Sequence, residues 1–313
     1  MIIEKIATEK NYIREFYPFS RARDAFKFYL KKVFLNNKGI VLLPSFIGYS
    51  VNEGSGVFDP IKELGLQYEF YKMDEYLSVN MTDLEIKMQE NDVKVFVLIH
   101  YFGHIDIHYK DIINLVREYP CLIVEDEAHA LYSDMIDGTS GRLGDACIFS
   151  LHKMLPEKDG GILVINNEKI IKHSVNLEHN GIILKYDLHR ITQKRKRISY
   201  KLDTVIRNLV DVSPLWDLNL ENETLQTYPI IIKNADRNEV YKRMNEKGFG
   251  VVTLYHTLIP EINNGNYKES YALSKKILNL PVHQDVNEDQ IIVLVKTLEE
   301  TIIEIKNEGF IRE

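Results

Sequence analysis

Only two cysteines and one tryptophan occur among 313 residues. Cys121 and Cys147 each sit inside an apolar run, so they read as reduced core thiols in a reducing compartment. That argues against a disulfide framework or a cysteine-based metal site. No apolar run approaches the roughly 20 residues that span a bilayer. The opening MIIEKIATEKNY is too charged for a secretory signal. The chain is therefore expected in the cytoplasm. Positive charge is not in excess: the net charge is -7, so nothing global favours nucleic acid or an anionic membrane. The one dense basic run, Lys194-Arg195-Lys196-Arg197 within Gln193–Lys201, reads as a solvated helix face. Internal repeats and low-complexity segments are also missing. What remains is an ordinary globular composition, 45% hydrophobic and 27% charged, at a length that suits one large domain plus a smaller one.

Short apolar runs alternate with amphipathic stretches through the first two-thirds. Strands are predicted at Ile40–Leu43, Tyr68–Tyr71, Val95–His100, Leu122–Val124, Cys147–Leu151 and Ile162–Ile165. Helices are predicted at Ala22–Phe34, Asp83–Gln89, Ile112–Glu118 and Lys169–His179. Such alternation predicts an α/β fold with a mostly parallel sheet covered by helices. The pattern loosens around Val210–Glu223, where Pro214 and Trp216 lie. Beyond it a strand (Tyr228–Lys233), a helix (Arg237–Lys247), a second strand (Val251–Tyr255) and two more helices suggest a smaller α+β domain. The expected division is 1–215 and 216–313.

Chemistry concentrates between Val124 and Gly161. A buried strand ends in Glu125-Asp126-Glu127-Ala128-His129, where ligands of open parallel sheets bind. A second strand delivers Ser150 and Lys153 together, before a loop and the pair Gly160-Gly161. A lysine so placed suits a Schiff-base nucleophile, with a hydroxyl nearby for a phosphate and a carboxylate to keep a pyridine nitrogen protonated. Each residue has a blander reading: a surface lysine, a helix-capping Asp126, a core His129. Lys158, in the same loop, stays open as the alternative lysine. His100, His104 and His108 recur every four residues, yet Gly103 breaks the run, so no shared helical face and no metal site is expected. His152 is expected to point to the opposite side of the strand from Lys153.

In these residues the chain resembles the DegT/DnrJ/StrS-type sugar aminotransferases, a fold-type I family dependent on pyridoxal 5'-phosphate (PLP). Glu125 to His129 is similar to the family's E-D-x-A-(Q/H). Gly144-Asp145 through Phe149-Ser150 resembles its G-D-x-x-x-F-S, and Lys153 precedes Gly160 by the family's spacing. Weaker similarities run from Arg21 to Leu298. Arg21-Ala22-Arg23-Asp24-Ala25 resembles the phosphate-cradling turn, and Leu42 to Phe46 the strand entering the pocket. His100 to Gly103 resembles an H-x-x-G turn, and Leu278 to His283 a C-terminal L-P signature. The resemblance implies a seven-stranded sheet and a Schiff base on Lys153. It places Asp126 at the ring nitrogen, His129 near the ring, and Ser150, Ala22 and Arg23 at the phosphate; Tyr49 is the candidate ring neighbour. It also implies glutamate or glutamine as donor, a nucleotide-linked keto-sugar as acceptor, and a homodimer.

The chain departs from the pattern in four places. Ser150 stands three residues before the lysine instead of five, Ala22 replaces a glycine, residues 52–59 look inserted, and the N-Y-R-M block that reaches a neighbouring subunit has no counterpart. The stretch Arg190–Arg197 is the candidate source of that donor. Three rival readings exist. Ser150-Leu151-His152-Lys153 satisfies the S-x-x-K of penicillin-binding proteins, but the K-T-G strand of that chemistry is missing. A PLP dehydratase or desulfurase is the second; the family's sugar dehydratases carry histidine in place of the lysine. A degenerate, non-catalytic member is the third.

Overall fold

The computed structural model describes residues 16–35, 38–136, 138–167, 169, 186–263 and 265–310. The N-terminal segment and nearly all of the helix expected over Lys169–His179 lie outside the described residues.

The central sheet is built from β1 (Tyr17–Phe19), β2 (Ile40–Pro44), β3 (Tyr68–Tyr71), β4 (Val93–Ile99), β5 (Leu122–Asp126), β6 (Ala146–Ser150) and β7 (Gly161–Ile165), in the spatial order β1-β7-β6-β5-β4-β2-β3. Pairings from β3 across to β6 are parallel. β7 runs antiparallel to β6, and β1 antiparallel to β7. The fold is thus the mostly parallel, seven-stranded α/β architecture that the resemblance implies. β6 and β7 are buried at every position, as expected for strands covered on both faces.

Helices α1 (Ala22–Val33), α2 (Phe58–Glu63), α3 (Met81–Glu90), α4 (Tyr109–Val116) and α5 (Leu131–Met135) flank this sheet. In α1 the residues Ala25, Phe26, Tyr29 and Leu30 form the buried stripe that helical spacing dictates. Helix α6 (Leu188–Ile206) passes between two apolar clusters: Leu188 packs with β6 and β7 residues, whereas Ile198, Leu202 and Ile206 pack against a second sheet. The expected solvated basic face is therefore interrupted, because Arg195 on the same helix is buried.

The second sheet is antiparallel, ordered β10 (Ile277–Pro281), β9 (Thr227–Ile232), β8 (Val212–Pro214). Helices α7 (Arg237–Glu246) and α9 (Ile291–Phe310) contribute to its core, and α8 (Lys268–Lys276) leads into β10. The strand expected at Val251–Tyr255 does not form. Val252 makes one isolated bridge to Asn279, and Tyr255 turns into the left-handed region at φ 59°. Main-chain bonds tie the two parts together: the Tyr49 amide to the Thr257 carbonyl at 2.9 Å, Ile259 to Ile47 at 3.0 Å, and Gln226 to Phe102 at 2.7 Å. No helix among the described residues is long and apolar enough to cross a membrane.

Candidate active site

The carboxyl ends of β5 and β6 and the first turn of α1 bound a cavity of about 580 Å³. Lys153, Asp126, His129, Ser150, Ala22, Arg23 and Tyr49, all singled out from the sequence, line it. Lys158 lines it too, exposed and without a hydrogen bond to Asp126 or His129 among the described residues.

Lys153 closes a short 3₁₀ turn directly after β6, so the strand fixes its direction. Its Nζ lies 3.2 Å from His129 Nε2. The Phe102 amide donates to His129 Nδ1 at 3.3 Å, which assigns the ring proton to Nε2. His129 Nε2 and Lys153 Nζ are thus hydrogen-bonded, in a direction set by the tautomer. Lys153 presents much of its surface to the cavity, yet burial lowers its pKa; Asp126 and Glu53 oppose the shift and Arg23 adds to it. Burial, Lys153 and His152 hold His129 well below its ordinary value. Burial raises the Asp126 pKa, while Lys153, the Ala128 amide and His100 pull it back.

The phosphate turn is shaped by a close approach. A Cβ on Gly161 would lie 2.2 Å from the Arg21 carbonyl carbon and 2.4 Å from the Ala22 nitrogen, so only glycine lets β7 seat the helix start this deep. Arg21 provides no side-chain cap. The Asp24 and Ala25 amides return to the Arg21 carbonyl, and those of Ala22 and Arg23 have no hydrogen bond among the described residues. They suit an anion, as helix starts do. The Arg23 guanidinium donates to the Glu53 carbonyl at 2.6 Å and approaches Asp59 at 3.5 Å. It thereby anchors the 50–54 hairpin, where Ser50 and Gly54 exchange two backbone bonds. Tyr49 stands at the rim, 39% exposed, and stacks on no other ring among the described residues. Taken together, a strand-end lysine of lowered pKa, a buried carboxylate and uncapped amides fit a phosphorylated pyridine aldehyde such as PLP.

Three features differ from the sequence reading. His152 does not point away: it lines the same cavity, with Nδ1 3.3 Å from Ser150 Oγ, because the chain leaves β6 in a 3₁₀ turn and loses strand alternation. Arg195 cannot serve a neighbouring subunit. Its guanidinium donates to the carbonyls of Leu225, Gln226 and Met154 and to Gln284 Oε1, and it stacks over Tyr132. Tyr132 also donates to Met154 at 2.7 Å, so two side chains pin the residue after Lys153. Finally, Thr253, Leu254, Tyr255 and His256 enter the cavity from the second part of the chain. Glu53, on the hairpin, was missed as well; a polar insertion gives no signal of where it folds.

Behind Asp126 lies a buried ionic group. His100 Nε2 is 2.8 Å from Glu125 and 3.3 Å from Glu127. The Tyr109 hydroxyl and the amides of Gly141, Leu143 and Gly144 also donate to Glu125. Burial pulls His100 down, but Glu127 and Glu125 outweigh it and its pKa rises to about 9.

The mostly parallel seven-stranded sheet has the fold-type I architecture of solved aminotransferase structures. The family model of the DegT/DnrJ/EryC1/StrS aminotransferase family matches residues 55–188. The chain is 23% identical over 267 residues (71% of this chain, 70% of the relative) to the UDP-4-amino-4,6-dideoxy-N-acetyl-beta-L-altrosamine transaminase of Campylobacter jejuni subsp. jejuni serotype O:23/36. To the dTDP-4-amino-4,6-dideoxy-D-glucose transaminase of Shigella dysenteriae it is 20% identical over 245 residues (67% and 66%). A Streptococcus pneumoniae structure described as a sugar aminotransferase in its PMP form superposes with a TM-score of 0.77 at 15% identity, covering 96% of this chain and 89% of that one. The chain is thus similar to the DegT/DnrJ/EryC1/StrS aminotransferase family over residues 55–188 and to sugar transaminases over about 70% of its length.

Proposed function

We propose that this protein is a PLP-dependent aminotransferase that moves an amino group from glutamate or glutamine to a nucleotide-linked keto-sugar, as a cytoplasmic step in surface-polysaccharide or related sugar synthesis. The observation that carries the reading is Lys153 held 3.2 Å from His129 in one cavity with Asp126. Both relatives above are named as nucleotide-sugar transaminases, one for a UDP and one for a dTDP substrate. That supports the substrate class and leaves the nucleotide unassigned.

In this reading Lys153 binds the cofactor aldehyde, and when bound the cofactor supplies an electron sink for the substrate carbanion. The free Lys153 amine would hold and return the proton at the substrate carbon. Burial, which lowers its pKa, favours the free amine that task needs. Asp126 keeps the ring nitrogen protonated, and His129 holds the lysine in place through Nε2–H. Ser150 and the amides of Ala22 and Arg23 hold the phosphate. Residues 1–215 carry the cofactor side, and 216–313 close the substrate side through 253–256. The phosphate carries nearly two negative charges and few side-chain donors serve it here, so a homodimer lending a further donor completes the site. With Arg195 occupied, Arg190, Lys194 and Arg197 remain as candidates.

Borohydride reduction and peptide mapping test the cofactor assignment. The pyridoxyl group is expected on the Lys153 peptide; label on Lys158, or none, overturns it. Incubation with glutamate and a panel of nucleotide keto-sugars tests the substrate class. Sedimentation at micromolar concentration tests the dimer, expected at twice the 36.5 kDa chain mass.

A further inference from the structure

The cavity receives one aromatic hydroxyl that neither the sequence pattern nor the cofactor assignment uses. Tyr255 lies in the left-handed region at φ 59°, a conformation that a non-glycine residue keeps only where the surroundings impose it. Here they do. Its ring stacks on Phe46 with centroids 5.1 Å apart and meets the rings of Tyr101, Phe102 and His129 edge-on at 5.4, 5.6 and 6.0 Å. A Cβ on Gly48 would come within 3.0 Å of the ring, so the opposite wall is cut back to admit it.

The two neighbouring tyrosines differ in one respect. The Tyr101 hydroxyl donates to the Phe46 carbonyl at 2.6 Å and is buried. The Tyr255 hydroxyl makes no hydrogen bond among the described residues, although Tyr255 lines the cavity. Asp126 lies near enough to act on it electrostatically, adding to the effect of burial in raising the phenol pKa. At neutral pH Tyr255 is therefore a proton donor on a rigidly held ring, beside the carboxylate and the histidine that flank the lysine.

We propose that the Tyr255 hydroxyl donates a hydrogen bond to the cofactor beside Asp126 and His129, so that the second part of the chain supplies one of the cofactor-holding groups. The inference rests on the PLP reading above. It accounts for the strained backbone, the bare Gly48 and the unused donor together.

The test compares Tyr255→Phe with the wild-type protein and with Tyr101→Phe, by PLP titration and by the pH dependence of the visible absorbance band. Removing one neutral donor should weaken PLP binding by about 3- to 10-fold, the range of a single net hydrogen bond. The midpoint of the band should move upward in pH, because the deprotonated chromophore loses a stabilising donor. Tyr101→Phe should lower the unfolding temperature and leave the band unmoved. An unchanged or downward midpoint with unchanged PLP affinity in a folded Tyr255→Phe protein overturns the proposal. If the wild-type protein forms no visible band with PLP, the cofactor reading itself has failed, a different outcome from a band that Tyr255→Phe does not move. Near-ultraviolet circular dichroism of each variant verifies that the aromatic cluster is intact.

Discussion

Alkaline pH should weaken the fold through His100. The imidazole is 1% exposed and faces Glu125 and Glu127 directly. Tyr109 shares Glu125 with it, and Asp106 adds a weaker field. A group whose folded pKa is raised contributes stability that is complete below its unfolded value and is lost as pH climbs through the folded one. For His100 the window runs from 6.5 to about 9. At 1.36 kcal/mol per unit, that shift corresponds to about 3 kcal/mol. Lys153 acts in the opposite sense: its lowered pKa makes stability rise with pH through its own window. Comparison with His100→Gln cancels that contribution, since Lys153 is present in both proteins. Urea midpoints at pH 6, 7, 8 and 9 should show the wild-type advantage shrinking by about 3 kcal/mol across the series. A difference that stays constant with pH would mean His100 is neutral throughout and the ionic group is not charged as described.

Asp126→Asn should retain cofactor while transamination slows by orders of magnitude, because the ring nitrogen is no longer held protonated; a near-wild-type rate excludes Asp126 as its partner. Gly161→Ala must push β7 away from Arg21 and Ala22, which its Cβ would meet at 2.2 and 2.4 Å. PLP titration should show affinity lost before global stability is. Arg195→Met removes the Arg195 donor from the carbonyls of Leu225 and Gln226, while Met154 keeps Tyr132, a loss of about 2 kcal/mol offset in part by relief of a buried charge. Calorimetry should place the unfolding midpoint about 2–4 °C lower.

The central architecture was legible because its inner strands are buried on both faces and carry mostly apolar runs. β3 falls where the pattern put it, and β6 and β7 within one residue. The motif residues were legible for mixed reasons. Gly144 and Asp145 mark the family, yet their work is framework: the Gly144 amide binds Glu125, and the Asp145 carboxylate accepts from the Ile123 amide at 2.8 Å. Apolar content misled at Val251–Tyr255, where V-V-T-L-Y reads as a strand. The run lacks a continuous partner strand, and packing of Tyr255 among four rings forces a positive φ that no propensity scale encodes. Charge misled at Arg195. A run of four cations reads as surface, but one of them points inward every turn, and tertiary carbonyls were waiting for it.

The backbone bonds that join residues 47–49 to 257–259, and Phe102 to Gln226, bear on how molecules enter and leave. A hinge motion that swung the second sheet away from the first would break all three and unpack Tyr255 from its four ring neighbours. The 50–54 hairpin is tied down more lightly, by Arg23, by its two backbone bonds and by the Glu53 amide donating to Ser50 Oγ. Local openings draw on the least stable segments of a fold. That hairpin is therefore the more lightly held wall of the cavity around the lysine, opposite a wall fixed by the bonds between the two sheets.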